Sequence, residues 1–529
     1  LVHMPYLGKG RTAMGINFGI TAMVLRCAVS HKARSMFQCI RSHELDANGV
    51  PLAFPTSNER ESIVSLDAFA AIPGQPVIYA ASPEDLSALA SQSKVGGVLT
   101  TREGLTTGDN DTFMRRWHEV SLSRMSMPSD AGSEGFLNRR WYVYVKGGEF
   151  RRWYGNIDFV VDWEFDGRRV KSNVDVNTGR IRSHNYNGEF AFREGLTWSG
   201  MSSSKFSARF VPEGYMFDTK GPMGFAADHV DLLATLAVLN SNSTDRILGM
   251  LAPNLDFKLG HVLNLPIPAD VAIRDELGDI AREAVGVAKA LWDGQEISLD
   301  FQVDPTLQVR PGLVADRVVG ANASLSSAAG RLVELRKQVD AALGGVPGEA
   351  EMSWFAESDS EIAPISVAER VRNLVSYAIG CMFGRYSLDE PGLILADQGA
   401  TVQDYLAKVP APTFAPDKDN VIPVVDGDWF EDDIVARFRT FLRVAFGEQH
   451  FEENLRFVTE SLGVREIRDY FVRAFYKDHV QRYKKRPIYW LFSSPKGSFN
   501  ALIYMHRYTP SSVSTVLNEY LREFTAKLT

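Results

Sequence analysis

Cysteine is scarce in this chain of 529 residues: Cys27, Cys39 and Cys381 are all it has. Three thiols at unrelated spacings build neither a disulfide framework nor the paired ligands of a zinc site, and they fit a reducing cytoplasm. Long apolar runs are missing too. The longest near the start, Ile16 to Leu25, is too short and too polar at its flanks to cross a bilayer or to serve as a secretory signal. A cytoplasmic protein with no membrane partner is therefore expected. There is no excess of positive charge, since 57 Lys and Arg face 65 Asp and Glu for a net charge of -8, which excludes a histone-like surface but leaves room for one basic face. HExxH, P-loop and GxSxG signatures are absent, and no two prolines are adjacent. No catalytic constellation and no metal site is expected from this chain alone.

What is present is ample core-forming material, 45% hydrophobic and 23% charged, enough for two to four domains. The fold class expected is α+β and multidomain. Residues 1–65 read as a short strand, a glycine-rich loop (Gly8, Gly10, Gly15, Gly19) and a strand from Ile20 to Cys27, the grammar of an α/β sheet edge. With Leu1 opening directly in an apolar stretch, the chain reads as starting within a domain. Residues 66–268 alternate short strands, such as Trp141 to Val145 and Phe159 to Trp163, with turns such as Asn187-Gly188. A helix pair is expected over residues 226–251. Residues 269–345 read as a helical hairpin, its second helix nearly heptad at Leu325, Ala328, Leu332, Leu335, Val339 and Leu343. Heptads this few predict packing on the chain's own domains. Residues 346–529 form an acidic and then a basic section, mostly helical, with strands at Pro487 to Phe492 and Ala501 to Tyr504 and a final helix from Ser511. A Gly- and Pro-containing acidic linker, Gly344 to Pro364, leads into it.

Three segments have the composition of a DNA-contacting surface. Thr101 to Asn110 is glycine-punctuated and hydroxyl-rich, and Phe113-Met114-Arg115-Arg116-Trp117 follows at once. Small hydroxyls, an amide and close backbone approach suit a phosphate or a base edge, though the same composition also describes a capped surface turn. Asp109 and Asp111 lack the further ligands of a calcium loop. Lys146 to Asn156 interleaves glycines with Lys146, Arg151, Arg152 and Trp153, the stronger signal, because arginines clamp phosphate or pair with guanine while aromatics pack on sugars or extruded bases. The alternative is a hairpin whose aromatics are core. Ser202 to Phe210, with Ser203, Lys205 and Arg209, adds another hydroxyl-rich loop, which is also ordinary turn chemistry.

Taken in order, Gly104 to Asn110, Lys146 to Asn156, Leu196-Thr197-Trp198-Ser199, Leu239-Asn240-Ser241, Asn254 to Gly260 and Asn264-Leu265-Pro266 resemble the target recognition domain of PglX-type adenine-specific DNA methyltransferases of BREX phage-defence systems. More distantly the chain is similar to type IIG restriction-modification enzymes. Pro5 to Arg26 resembles the end of that family's Rossmann-like methyltransferase sheet, and Lys485 to Ser494 with Tyr504 to Tyr508 its C-terminal domain. The resemblance implies a methyltransferase remnant over 1–65, a target recognition domain over 66–268, a helical spacer over 269–345 and a C-terminal domain over 346–529.

It also implies S-adenosylmethionine as cofactor of the intact enzyme. That cofactor would bind upstream, so none is expected on this chain, where the Asn-Pro-Pro-Tyr loop that holds the flipped adenine has no counterpart. Double-stranded DNA and other BREX proteins are the implied partners. Arg115, Arg116, Lys146, Arg151, Arg152, Lys205 and Arg209 are the residues expected to grip the backbone, and Thr106, Thr107, Asn110, Trp153 and Ser203 those expected near the bases. Two other readings stay open: a stand-alone DNA specificity subunit, and a non-catalytic scaffold of the defence complex.

Overall fold

The computed structural model describes residues 34–528, apart from 41, 47–49, 54–57, 59, 66, 71, 73, 80, 134–135, 202–204, 253–255, 309–310 and 345–361, together with the strands Val2–Met4 and Ile20–Ala22. Gly8, Gly10, Gly15, Gly19, Cys27, Ser203 and most of the acidic linker thus lie outside the described residues. The architecture is mixed α/β, with several small sheets and many helices.

The first sheet contains β1 (Val2–Met4), β2 (Ile20–Ala22), β3 (Arg34–Cys39) and β4 (Ser62–Ser65) in the order β2-β1-β3-β4, only β1 and β3 running parallel. The second joins β5 (Thr100–Arg102), β10 (Gly195–Trp198), β11 (Ala208–Val211) and β13 (Met223–Phe225) in the order β11-β10-β13-β5, antiparallel throughout. The third has β6 (Met114–Arg116), β8 (Trp141–Val145), β9 (Phe159–Asp162) and β12 (Met216–Phe217) in the order β12-β8-β9-β6, with β7 (Met125–Ser126) also on β8. Strand β8 is buried along its whole length, so its two-residue alternation divides two cores. Trp141, Val143 and Val145 enter the large one, whereas Tyr142 and Tyr144 enter a small one with Leu105, Phe113, Trp163 and Val170. That small core is what carries the candidate site.

Against the large core packs the kind of helix pair expected over 226–251. Helix α2 (His229–Leu239) starts on the Asp228 cap and buries every residue from Leu232 onward. Ser241 then caps α3 (Asn242–Leu251), its hydroxyl accepting from Thr244 N at 3.1 Å. Helices α4 (Val271–Asp293) and α5 (Val314–Ala342) lie side by side, bridged by Arg331 to Glu283 at 2.6 Å. Their connection is no tight turn: Phe301 and Leu307 sink into a second large core. At about 1.5 Å per residue, α5 is about 43 Å long. Its two ends sit in different cores, Val314 and Val318 in the second, Leu332, Leu335 and Val339 in the first. Leu332, Leu335 and Val339 of the near-heptad stripe are thus covered by the chain itself, while Leu325 and Ala328 are half-buried.

The second core gathers α6 (Val367–Met382), α7 (Ile434–Phe446) and α8 (Phe451–Leu462) around the sheet β14-β16-β15, formed by Ile422–Pro423, Asn500–Tyr504 and Tyr489–Ser493 in that order. Fully buried Arg385 donates to Tyr386 Oη at 3.1 Å and Tyr504 Oη at 3.0 Å. His506 Nε2 meets the His118 carbonyl at 3.0 Å, fastening this region to the third sheet.

Candidate nucleic-acid interface

Beyond β9 the chain leaves the third sheet as a projecting ribbon. Trp163 anchors it in the small core, and Phe165, Asp166 and Gly167 then take positive φ values of 53°, 56° and 67°. A left-handed run of this kind is costly for residues with a Cβ, and here it kinks α1 (Glu164–Lys171) at its start. Further along, Val174 pairs with Ile181 in an antiparallel bridge, Arg182 N donates to Asn173 O at 2.8 Å, and Asp175 N to Arg180 O at 2.9 Å. The tip is fixed by the Asp175 carboxylate, which accepts from Thr178 N at 2.9 Å and from Asn177 N and Thr178 Oγ1 at 3.1 Å. Those bonds to Thr178 and Asn177 hold its carboxyl below the usual range.

The base of the ribbon is tied to the Gly104 to Asn110 loop. Thr106 and His184 exchange both backbone hydrogen bonds at 2.9 Å, and Asn173 Nδ2 donates to Thr107 O at 3.0 Å. Two glycines of the loop are explained by this contact and its surroundings. A Cβ on Gly108, whose φ is +71°, would lie 2.6 Å from the Arg182 carbonyl oxygen, and one on Gly104 would lie 2.0 Å from that of Phe217. Close backbone approach is real here, but the backbone approached is the protein's own.

Charge on the ribbon is one-sided. Arg168, Arg169, Lys171, Arg180 and Arg182 face only Asp166 and Asp175 between residues 165 and 186. Asp166 pairs with Lys171 at 2.7 Å, and Arg169 shares the buried Asp162 carboxylate with Arg140. Arg180 and Arg182 are exposed and close no ion pair among the described residues. Nearby, the exposed ring of Tyr186 stacks on His184 at 5.3 Å and 13°.

The residues picked out from sequence are divided by the structure. Asn110 is exposed on the loop, accepting from the buried Thr107 hydroxyl at 2.7 Å, and Thr106 Oγ1 lies 2.7 Å from Thr219 Oγ1. Arg115 is half-buried, one nitrogen donating to the carbonyls of Asp111 and Met114. Arg116 stands 3.7 Å from Asp158, whose carboxyl burial pushes up, in a narrow cleft with Arg482 and Lys484. Lys146 pairs with Asp218 at 3.3 Å, and Lys205 is half-buried.

Five members need correction as a surface set, the first being Thr107, which is buried with its hydroxyl on Asn110. Trp153 is fully buried, with φ 71°, and pairs its backbone with Arg209. Arg209 is likewise enclosed, one nitrogen reaching the Arg151 carbonyl at 3.4 Å, and burial brings its pKa down to about 10. The Arg151 guanidinium lies over the Trp292 ring of α4 at 4.9 Å. Arg152, 3% exposed, is fixed on Asp245 of α3. Arg151 and Arg152 of the glycine-rich hairpin therefore turn toward helices and Trp153 into the core, whereas Lys146, on Asp218, stays beside the loop that carries Thr106. Arg182, whose backbone meets that loop at Gly108, and Arg180 two residues before it are exposed cations that sequence reasoning missed. Their signal was a polar turn, Asp175 to Gly179, followed by Arg-Ile-Arg.

Sequence relatives agree with the motif resemblance. The adenine-specific methyltransferase PglX of Lacticaseibacillus casei (strain Zhang) is 39% identical over 471 residues, covering 86% of this chain and 38% of that protein. The adenine-specific methyltransferase BrxX of Escherichia coli O9:H4 (strain HS) is 32% identical over 487 residues, covering 86% of this chain and 39% of that protein. No protein-family profile matches. Among solved structures, the type IIL restriction-modification enzyme MmeI in complex with DNA aligns with 50% of this chain and 35% of its own at 11% identity, but a TM-score of 0.27 is too low to carry an argument. Two curated relatives aligned over most of the sequence lead to one conclusion: this chain is a homologue of the PglX and BrxX adenine-specific methyltransferases and spans about two fifths of their length.

Proposed function

We propose that this chain is the sequence-specific DNA recognition portion of an S-adenosylmethionine-dependent adenine-N6 DNA methyltransferase of BREX phage defence. The observation that carries the reading is the pair Arg180 and Arg182, exposed and closing no ion pair among the described residues, on a ribbon hydrogen-bonded at its base to the 104–110 loop. In this arrangement the guanidiniums neutralise phosphates and fix register, while the exposed Asn110 amide faces base edges. Arg168 and Lys171 extend the cationic margin along α1, and Lys485 and Arg486 offer a second exposed basic patch for the duplex.

S-adenosylmethionine is the methyl donor proposed for the whole protein. The residues described here form no Asn-Pro-Pro-Tyr loop, the sequence having no adjacent prolines, so no methyl-transfer step is assigned to them. Other BREX proteins are the proposed partners of the assembled enzyme.

The test is electrophoretic binding of the chain to random duplex pools at two salt concentrations. A sequence-selected duplex supports the reading, and Arg180→Ala with Arg182→Ala should lower the slope of log affinity against log salt by about two, one per lost phosphate contact. Weak retention without any consensus favours a scaffold instead.

A further inference from the structure

The ribbon has two unlike faces. Backbone alternation puts Arg180 and Arg182 on one side and Ile181 on the other, where its bridge partner Val174 joins it. Val176 stands at the tip. All three are open to solvent, Val176 at 95%, Ile181 at 58% and Val174 at 43%. A two-stranded ribbon is marginal in water, and apolar side chains on it contribute only once something covers them. Here the three stand on a turn held by the Asp175 bonds, and so are presented in a fixed position.

The charge beside them indicates what covers them. The opposite face carries Arg180 and Arg182, which close no ion pair among the described residues, and the two carboxylates that feel Arg182, Asp109 and Asp175, are hydrogen-bonded to Thr112 and to Asn177 and Thr178. A polyanion with an apolar feature between its charged walls is the complement. The major groove of duplex DNA has phosphate walls, admits a two-stranded ribbon, and presents an apolar group at one base of the four, the 5-methyl of thymine.

We propose that Val174, Val176 and Ile181 read thymine in the major groove through its 5-methyl group, with Arg180 and Arg182 straddling the adjacent phosphates. This rests on the DNA-recognition reading above and adds to it a base preference and the side chains that impose it.

The experiment uses the full chain and a duplex it selects from a random pool, compared with versions in which single thymidines are replaced by deoxyuridine, removing only the methyl group. The unaltered protein should bind about three- to fivefold more weakly for each contacted methyl lost, the equivalent of one buried carbon. Val176→Ala with Ile181→Ala should bind the thymidine duplex more weakly and become indifferent to deoxyuridine, with an unchanged melting temperature because both side chains are exposed. If no duplex is selected, the recognition reading itself falls. If a duplex is selected but deoxyuridine has no effect, or has the same effect on the double variant, DNA recognition stands while the thymine assignment is overturned and the apolar face is left to a protein partner.

Discussion

Arg152 Nη2 and Asp245 Oδ2 meet at 2.7 Å inside the protein, and Arg336 of α5 reaches the same oxygen at 2.6 Å. One carboxylate thus joins the glycine-rich hairpin, α3 and α5. With Arg152 only 3% exposed, the triad is an internal cross-link between elements distant in sequence.

Removing the shared carboxylate should therefore be expensive. Asp245→Ala removes the carboxylate that two buried guanidiniums share and is expected to destabilise by about 3–5 kcal/mol. Urea unfolding should show the midpoint fall. Arg151→Ala with Arg152→Ala should also lower stability, whereas Arg180→Ala with Arg182→Ala should weaken DNA binding and leave the unfolding curve unchanged.

The buried Asn240 amide acts as a strand partner for Ala208, its Oδ1 accepting from Ala208 N and its Nδ2 donating to Ala208 O, both at 3.0 Å. Asn240→Ala leaves Ala208 N unpaired, while Ala208 O keeps its bond from Trp153 N at 2.9 Å, and the change is expected to cost about 1–3 kcal/mol, as for one unsatisfied buried donor. Hydrogen exchange should report the loss first along β11.

Gly108→Ala brings a Cβ to 2.6 Å from the Arg182 carbonyl at a φ of +71°. The strain falls on the joint between loop and ribbon, so DNA affinity is expected to drop several-fold. The global melting temperature should move by only a few degrees. Equal losses of both would count against a local hinge.

His506 is 1% exposed, and burial holds its pKa down at about 4 against 6.5 when free. Below pH 6.5 the unfolded chain takes up a proton that the folded chain refuses until about pH 4, so acidification through that window favours unfolding. His118 and His479 are shifted in the same direction, also chiefly by burial. The melting temperature should fall between pH 6.5 and 4, and His506→Gln should flatten part of that slope.

Much of the local structure follows from short-range pattern. The run Trp141 to Val145 is a strand because its aromatic and β-branched residues suit a pleated surface buried on both faces, and α4 and α5 form from amphipathic spacing. Motif order carried the kinship as well, since Leu239-Asn240-Ser241 encodes a side chain that completes a strand followed by a helix cap.

Which cations face outward was settled only by tertiary packing. The sequence singles out Lys146 to Asn156 and passes over Asp175 to Arg182, because glycines and arginines in a turn look alike whether water or a helix lies beyond them. Asp245, Arg336 and Trp292 lie far along the chain from the first segment, and they enclose its arginines. Among the described residues no side chain encloses Arg180 and Arg182 in this way. A side chain's burial depends on neighbours supplied by the whole fold, whereas strand and helix formation depends mainly on residues a few positions away.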